Sequence, residues 1–363
     1  MQQLNALDNI MLEGERPNLP MHMSALMIYD TGGKRGARRV RELLEERTEQ
    51  VMLAHFPILR CKAEHLPMHM DRAYWVEDEN FSVSNHLSHA ALDQSENWAA
   101  LYAMFAEFHA LPLDPNRPLW QVHFVEGLNR LDGVPRGATA LFLKIHHSVL
   151  DGKGAQRLMS SLHNLSEEEG SALLADGLDD GEQTQADFSA PTTLQKYGRA
   201  WWHSVERPVE LTGTLLKLLP DLWAQGKKGD DKDEDTEATP TPRAYFNSMV
   251  GADRVVGHLR MDIGALRKLE KKHRCTINDI ALCVIAGAIR GYLSERDDLP
   301  ADTLYSLMPV NIRKRDEAGN LGNHVAAKKV ALHTPIGDAG ERLQAIHKET
   351  SRSKRETHRG GPN

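Results

Sequence analysis

The segment LFLKIHHSVLDGKGAQRLM, Leu141–Met159, decides how the rest of the chain is read. Its first half has strand character, and successive side chains of a strand leave opposite faces. Leu141, Leu143, Ile145 and His147 therefore share one face, and Phe142, Lys144 and His146 the other. The two adjacent imidazoles diverge, so a single reaction centre can use only one of them. His147 continues the apolar stripe and is expected to project from a buried strand end into a partly dry site. A neutral imidazole there, with an ordinary pKa of roughly 6.5, is a candidate general base.

Asp151 and Gly152 then turn the chain into a helix with apolar positions Ala155, Leu158, Met159 and Leu162 at helical spacing. Asp151 is the residue type that caps a helix, and Gly152 suits a tight approach. The expectation is that His147 does chemistry while Asp151 and Gly152 hold its loop. Two other readings use the same residues. A histidine at a strand end can be purely structural, and His146, His147 and Asp151 could be assembled into a metal site. The diverging faces argue against the metal.

Upstream, WQVHFVEGL places Trp120, Val122 and Phe124 on one face at period two. TALFLKIHH follows after the loop LDGVPRG, as a hairpin partner would. Downstream, VGHLRMDI (256–263) reads as a strand, GALRKLEKKHR as a helix, and LYSLMPVNI and VAAKKVALHT as strands. The fold class is α/β, in two halves. The expected divisions are residues 1–190, carrying the paired histidines; 191–243, a crossover and acidic linker; and 244–363, a second half.

The linker reading rests on GKKGDDKDEDTEATPTPR, Gly226–Arg243, where six acids fall within eight residues ahead of two prolines. Another acidic, polar tract begins at Ser166. Between the tracts lie Trp201, Trp202 and Trp223, together with Leu215, Leu216, Leu218, Leu219 and Leu222, broken by Pro208 and Pro220. This segment reads either as a crossover packing over both halves or as an interfacial surface meeting lipid through Trp and Leu beside Lys227 and Lys228.

Composition narrows the class. Of 363 residues, 40% are hydrophobic and 26% charged, as in globular domains. A net charge of −7 gives no general attraction for nucleic acid. Cys61, Cys275 and Cys283 are odd in number and unpaired in spacing, which fits reduced thiols and argues against a disulfide framework or a cysteine-built zinc site. The N-terminus lacks the basic and apolar regions of a secretory signal. The apolar run Ile280–Ile289 is about half of the ~20 residues a membrane span needs. These features lead to the expectation of a soluble, cytoplasmic protein.

HHSVLDG matches the HHxxxDG signature of the coenzyme A-dependent acyltransferase superfamily. Four further stretches resemble one branch of it, the bacterial wax ester synthase/diacylglycerol acyltransferases. These are the opening LNALDNIMLEGERPNLPMHMSALMIYD; a Pro-Leu-Trp motif at Pro118, Leu119 and Trp120; an Asn-Asp motif at Asn278 and Asp279; and LMPVNIRKRDEAGNLGNHVA with its Gly322-Asn323 pair. The similarity runs in order from Leu4 to about His347. Each motif also has a plain physical reading. Trp120, on the apolar side of a strand, reads as core. Thr276 and Asp279 form a helix-start pattern, with threonine as cap and an acid in the first turn.

The resemblance implies a chloramphenicol-acetyltransferase-like fold and direct transfer of a fatty acyl group from acyl-CoA to diacylglycerol or a long-chain alcohol. His147 would be the general base. Asn278 is a candidate for an oxyanion or positioning role, and Lys153 and Arg313 are candidates to meet the thiolate. His146, Asp151, Gly152, Pro118, Leu119, Trp120 and Asp279 would be structural members of the motifs. Acyl-CoA is a co-substrate, with no bound cofactor or metal. The implied location is cytoplasmic, or peripheral on the inner membrane face or lipid inclusions, and the oligomeric state is left open. Family members extend past the helix DAGERLQAIHKETSRSKRE, so the C-terminal half is expected to be incomplete. Ile280–Ile289, apolar all round, is expected to need cover on every side. The alternative is an inactive, shortened relative that binds acyl-CoA or lipid surfaces without catalysis; a condensation-type domain fits less well.

Overall fold

The computed structural model describes residues 2–48, 56–66, 71–93, 97–150, 244–311 and 325–359, with residue 242 and isolated positions between 154 and 198. It divides into two compact units: Met1–Gly229 with Gly251–Gly257 and Lys314–Asn323, and Asp230–Val250 with His258–Arg313 and His324–Asn363.

In the first unit the elements run β1 (Gln2–Gln3), α1 (Ala6–Gly14), β2 (His22–Tyr29), α2 (Lys34–Arg47), β3 (Cys61–Glu64), β4 (Tyr74–Glu77), β5 (Leu87–Ala91), α3 (Trp98–Ala110), β6 (Trp120–Glu126) and β7 (Thr139–His146). Four strands form a sheet in the order β2-β7-β6-β5, and β1, β4 and β3 form a smaller one. Strand β7 is central and pairs antiparallel with both neighbours, placing His146 opposite His22 and Ile145 opposite Trp120. The β6–β7 pairing is the hairpin that the sequence predicts. Gly137 enters β7 at φ +80°, and a Cβ there would stand 2.3 Å from the Gly33 nitrogen, so the tight approach requires glycine.

Both faces of β7 are covered, and all eight of its residues are buried. Leu141, Leu143 and Ile145 pack with Trp120, Phe124, Trp75 and Phe56. Ala140 and Phe142 pack on the other side with Leu101, and the rings of Phe105 and Phe108 on α3 lie 5.0 and 5.7 Å from Phe142. A strand buried on both faces can carry polar groups only where they find partners. Lys144 finds them at the end of α3, donating to the carbonyls of Phe108 and Leu111, the latter at 2.7 Å. Burial pulls its pKa down to about 8, with the Glu15 charge acting in the opposite direction. The fully buried Leu158 joins the first core, and Met159 packs on it.

The second unit contains α4 (Ile263–His273), α5 (Ile277–Ser294), the antiparallel pair β8 (Tyr305–Asn311) and β9 (Val325–Ala331), and α6 (Ala339–Arg359). The strand predicted at 256–263 is absent. Asp262 instead caps α4, accepting the Ala265 N–H at 2.7 Å, and the residues before it belong to no helix or strand. Among the described residues no strand pairs with this stretch, and Leu259 and Met261 are exposed.

Helix α5 begins at a full capping box: Thr276 accepts from the Asp279 N–H, and the Asp279 carboxylate accepts from the Thr276 N–H. Its 18 residues outrun the apolar segment read from the sequence, and by length and composition alone it could cross a membrane. Its packing is that of a core helix. Ile280, Leu282, Cys283, Ala286 and Leu293 pack with Leu304, Val330, Leu332, Leu343 and Ile346. The cover expected on every side is incomplete, since Val284 and Ile285 are exposed. A polar clasp ties α6 to the start of α5: Asp279, buried, accepts from His347 Nδ1 at 2.8 Å and from the Thr350 hydroxyl at 2.7 Å. Burial pushes the Asp279 carboxyl up, but the bonds from Thr276, Thr350 and His347 outweigh it and hold the pKa below the usual value. Replacing Asp279 with alanine removes the cap and strands these donors. It is expected to destabilise this unit by about 2–3 kcal/mol, measured by denaturant unfolding; a wild-type midpoint would show the clasp to be idle.

Candidate active site

The paired histidines sit where β7 ends, and their backbone is held from both sides. The His146 N–H donates to the Leu119 carbonyl at 3.0 Å, and the His147 N–H donates to the Met21 carbonyl at 2.9 Å. Leu119 belongs to the Pro118-Leu119-Trp120 motif and Met21 immediately precedes β2, so the neighbours on both flanks fix the same dipeptide. Trp120 is buried in the core. Its indole N–H donates to the Leu59 carbonyl at 2.8 Å, and its ring stacks on His86 at 4.3 Å.

The two imidazoles occupy different surroundings. His146 is fully buried. Its Nδ1 accepts the Ser148 N–H at 3.1 Å and lies 2.6 Å from the Ser148 hydroxyl, so its hydrogen resides on Nε2. That Nε2 faces a Glu15 carboxylate oxygen at 3.9 Å, too long for a hydrogen bond, and has no closer polar partner among the described residues. Burial, with the nearby His22 and His147, lowers the His146 pKa to about 4 against the pull of Glu15, so the ring is neutral. His147 is half-buried. Burial first, then the charge of His22, places its pKa below the ordinary imidazole value.

Behind the pair lies a polar cluster that sequence reasoning did not identify as a site. Glu15 Oε1 accepts from the Met21 N–H at 3.0 Å and from His22 Nδ1 at 3.1 Å. His22 Nε2 lies 2.6 Å from the His109 carbonyl, and Ser24 bonds His109 Nδ1 at 2.9 Å. Both nitrogens of His22 therefore face oxygens, one of the Glu15 carboxylate and one of the His109 carbonyl. Burial pushes the Glu15 carboxyl up. The hydrogen bonds from His22 and Met21 outweigh it, and the pKa lies below the usual value. The one signal available earlier was the acid and the histidine in EGERPNLPMH, but their approach to His146 depends on a pairing across more than a hundred residues.

Asp151, Gly152, Lys153, Arg313, Gly322 and Asn323 lie outside the described residues, as do the tryptophan- and leucine-rich segment and both acidic tracts, apart from isolated positions. Asn278 is exposed in the first turn of α5, and Asp279, next to it, is spent on the cap and the clasp. Among the described residues no group of three His, Cys, Asp or Glu side chains is placed to hold a metal ion.

The model of the wax ester synthase/diacylglycerol acyltransferase catalytic domain matches residues 4–281. A Mycobacterium tuberculosis protein bearing the name of a diacylglycerol O-acyltransferase is 28% identical over 351 residues, covering 95% of this chain and 65% of its own length. A second protein of that name from the same organism is 29% identical over 365 residues, covering 100% and 75%. The first of these relatives is matched over about two thirds of its length. Among solved structures, the wax ester synthase/diacylglycerol acyltransferase of Marinobacter aquaeolei superposes with a TM-score of 0.64 at 23% identity, over 98% of this chain and 73% of that one. The first condensation domain of the calcium-dependent antibiotic synthetase superposes at 0.52 and 13% identity, over 99% and 74%. The fold is the chloramphenicol-acetyltransferase-like α/β fold expected from the paired-histidine motif.

Proposed function

The chain belongs to the wax ester synthase/diacylglycerol acyltransferase family, and on that premise we propose that it is an O-acyltransferase. It moves a fatty acyl group from acyl-CoA to diacylglycerol, giving triacylglycerol, or to a long-chain alcohol, giving a wax ester. The observation that carries this reading is the state of His147: half-buried at the end of a sealed strand, fixed through its backbone, and held neutral below the ordinary imidazole range.

In the proposed reaction His147 takes the proton of the acceptor hydroxyl as that oxygen attacks the thioester carbonyl. A C–O bond forms, the C–S bond breaks, and the proton passes from the imidazolium to the departing thiolate as free coenzyme A. The tetrahedral oxyanion requires hydrogen-bond donors. The step needs no metal, bound cofactor or enzyme nucleophile. Its substrates are lipids, which supports action in the cytoplasm at a membrane or lipid-inclusion surface; nucleic acid has no role.

The test is coenzyme A release from palmitoyl-CoA by the purified chain, with diacylglycerol or hexadecanol as acceptor. Acceptor-dependent release, lost in His147→Ala, is the expected result, and the better acceptor names the reaction. No release from folded protein that still binds palmitoyl-CoA would favour the non-catalytic reading. The pH profile gives a second check. A lowered pKa keeps the base neutral to lower pH, so the acid limb of kcat/KM is expected below pH 6.5. A limb at or above 6.5 would assign it to another group.

A further inference from the structure

Glu15 lies beside the histidine pair without reaching the half-exposed ring, and its bonds lead to that ring by a short route. Its Oε1 accepts the Met21 N–H at 3.0 Å, and the carbonyl of the same Met21 accepts the His147 N–H at 2.9 Å. The same oxygen holds His22 Nδ1, and His22 in turn reaches the His109 carbonyl at the end of α3. One carboxylate thus joins the end of α1, the start of β2, the end of α3 and, through Met21, the backbone of His147.

From this geometry we propose that Glu15 is a positioning residue for His147, acting by clamping the backbone of Met21, the residue whose carbonyl accepts the His147 N–H. His147 lies one residue beyond the strand and has the Met21 carbonyl in place of a ladder. Without the clamp, Met21 is free to shift, and the imidazole shifts with it. A displacement of about 1 Å in a reacting group costs on the order of 10²-fold in rate. Both acceptor contacts use Oε1, so an amide oxygen can replace them, whereas a methyl cannot.

The kinetic part of this proposal rests on the acyl-transfer reading; the structural part does not. Glu15→Ala is expected to lower kcat by about 10²-fold with KM for palmitoyl-CoA within about threefold of wild type. Glu15→Gln should recover at least tenfold of that loss. A role confined to stability would lower the melting temperature yet leave kcat per folded chain unchanged, and that result would overturn the proposal. If Glu15→Ala does not fold, Glu15→Asp serves: it keeps the charge but withdraws the carboxylate, and kcat should fall, while a wild-type kcat would overturn the clamp. Amide hydrogen exchange reads the clamp without catalysis. The His147 N–H should be protected in wild type and Glu15→Gln and lose at least tenfold of its protection in Glu15→Ala; equal protection in Glu15→Ala would overturn the proposal. Failure of the acyl-transfer reading is recognised separately, by an inactive wild-type chain or by activity surviving in His147→Ala.

Discussion

Replacing His147 with alanine is expected to reduce acyl transfer by about 10²–10⁴-fold, the range contributed by a positioned general base. The fold should survive. The ring is only half-buried, and what the structure fixes at this position is the backbone, through a bond to Met21 that alanine retains. The neighbouring substitution should behave differently. His146→Ala empties a fully buried space and strands the Ser148 N–H that the ring accepts. Its activity loss should come with destabilisation of about 2–4 kcal/mol. Coenzyme A release and thermal melting on both variants separate the roles. If His147→Ala stays active while His146→Ala loses activity without loss of stability, the assignment of the two rings is reversed.

The features legible in the sequence were those that depend on neighbours within a few residues. Period-two alternation places Leu141, Leu143 and Ile145 against Phe142 and Lys144, and the structure puts the first three in one core, Phe142 in another, and Lys144 on the carbonyls at the end of α3. The Thr276–Asp279 box is a four-residue pattern, and it forms. The stretch at 256–263 shows the limit of the same logic. Alternation states that a segment could have two faces, but a strand also needs a partner, and none pairs with it among the described residues. Ile280–Ile289 shows another limit. An apolar run specifies what would favour burial, whereas Val284 and Ile285 remain exposed outside the cluster that packs on α5.

The candidate site was half legible for the same reason. His147 and the divergence of its neighbour follow from strand geometry within one segment. Glu15, His22 and His109 enter through the antiparallel pairing of β2 with β7 and the docking of α3, contacts between residues far apart in the chain. The motifs that resemblance marks also change meaning once they are placed. Pro118-Leu119-Trp120 contributes the Leu119 carbonyl to His146, and the Asn278-Asp279 pair contributes a carboxylate to the clasp between α5 and α6. In both cases the contribution seen is to holding structure, one of them directly beneath the paired histidines.

Trp120 therefore carries the second large expected effect, on stability. Its indole is 1% exposed, packs in the core with Phe124, Leu143 and Ile145, stacks on His86, and donates to the Leu59 carbonyl. Truncation to alanine is expected to cost about 3–5 kcal/mol from lost burial and the cavity left behind, and about 1 kcal/mol more from the unpaired carbonyl. That is a large share of the roughly 5–15 kcal/mol that holds a typical domain together. Trp120→Phe keeps most of the ring volume and loses the N–H bond, so its cost should be about 1–2 kcal/mol. Urea unfolding of the three proteins reads the series directly. Activity should follow the folded fraction, because the contacts of the indole are to core side chains, to His86 and to the Leu59 carbonyl. If instead Trp120→Ala unfolds at the wild-type midpoint yet loses acyl transfer, the tryptophan belongs to the reaction site and its packing is incidental.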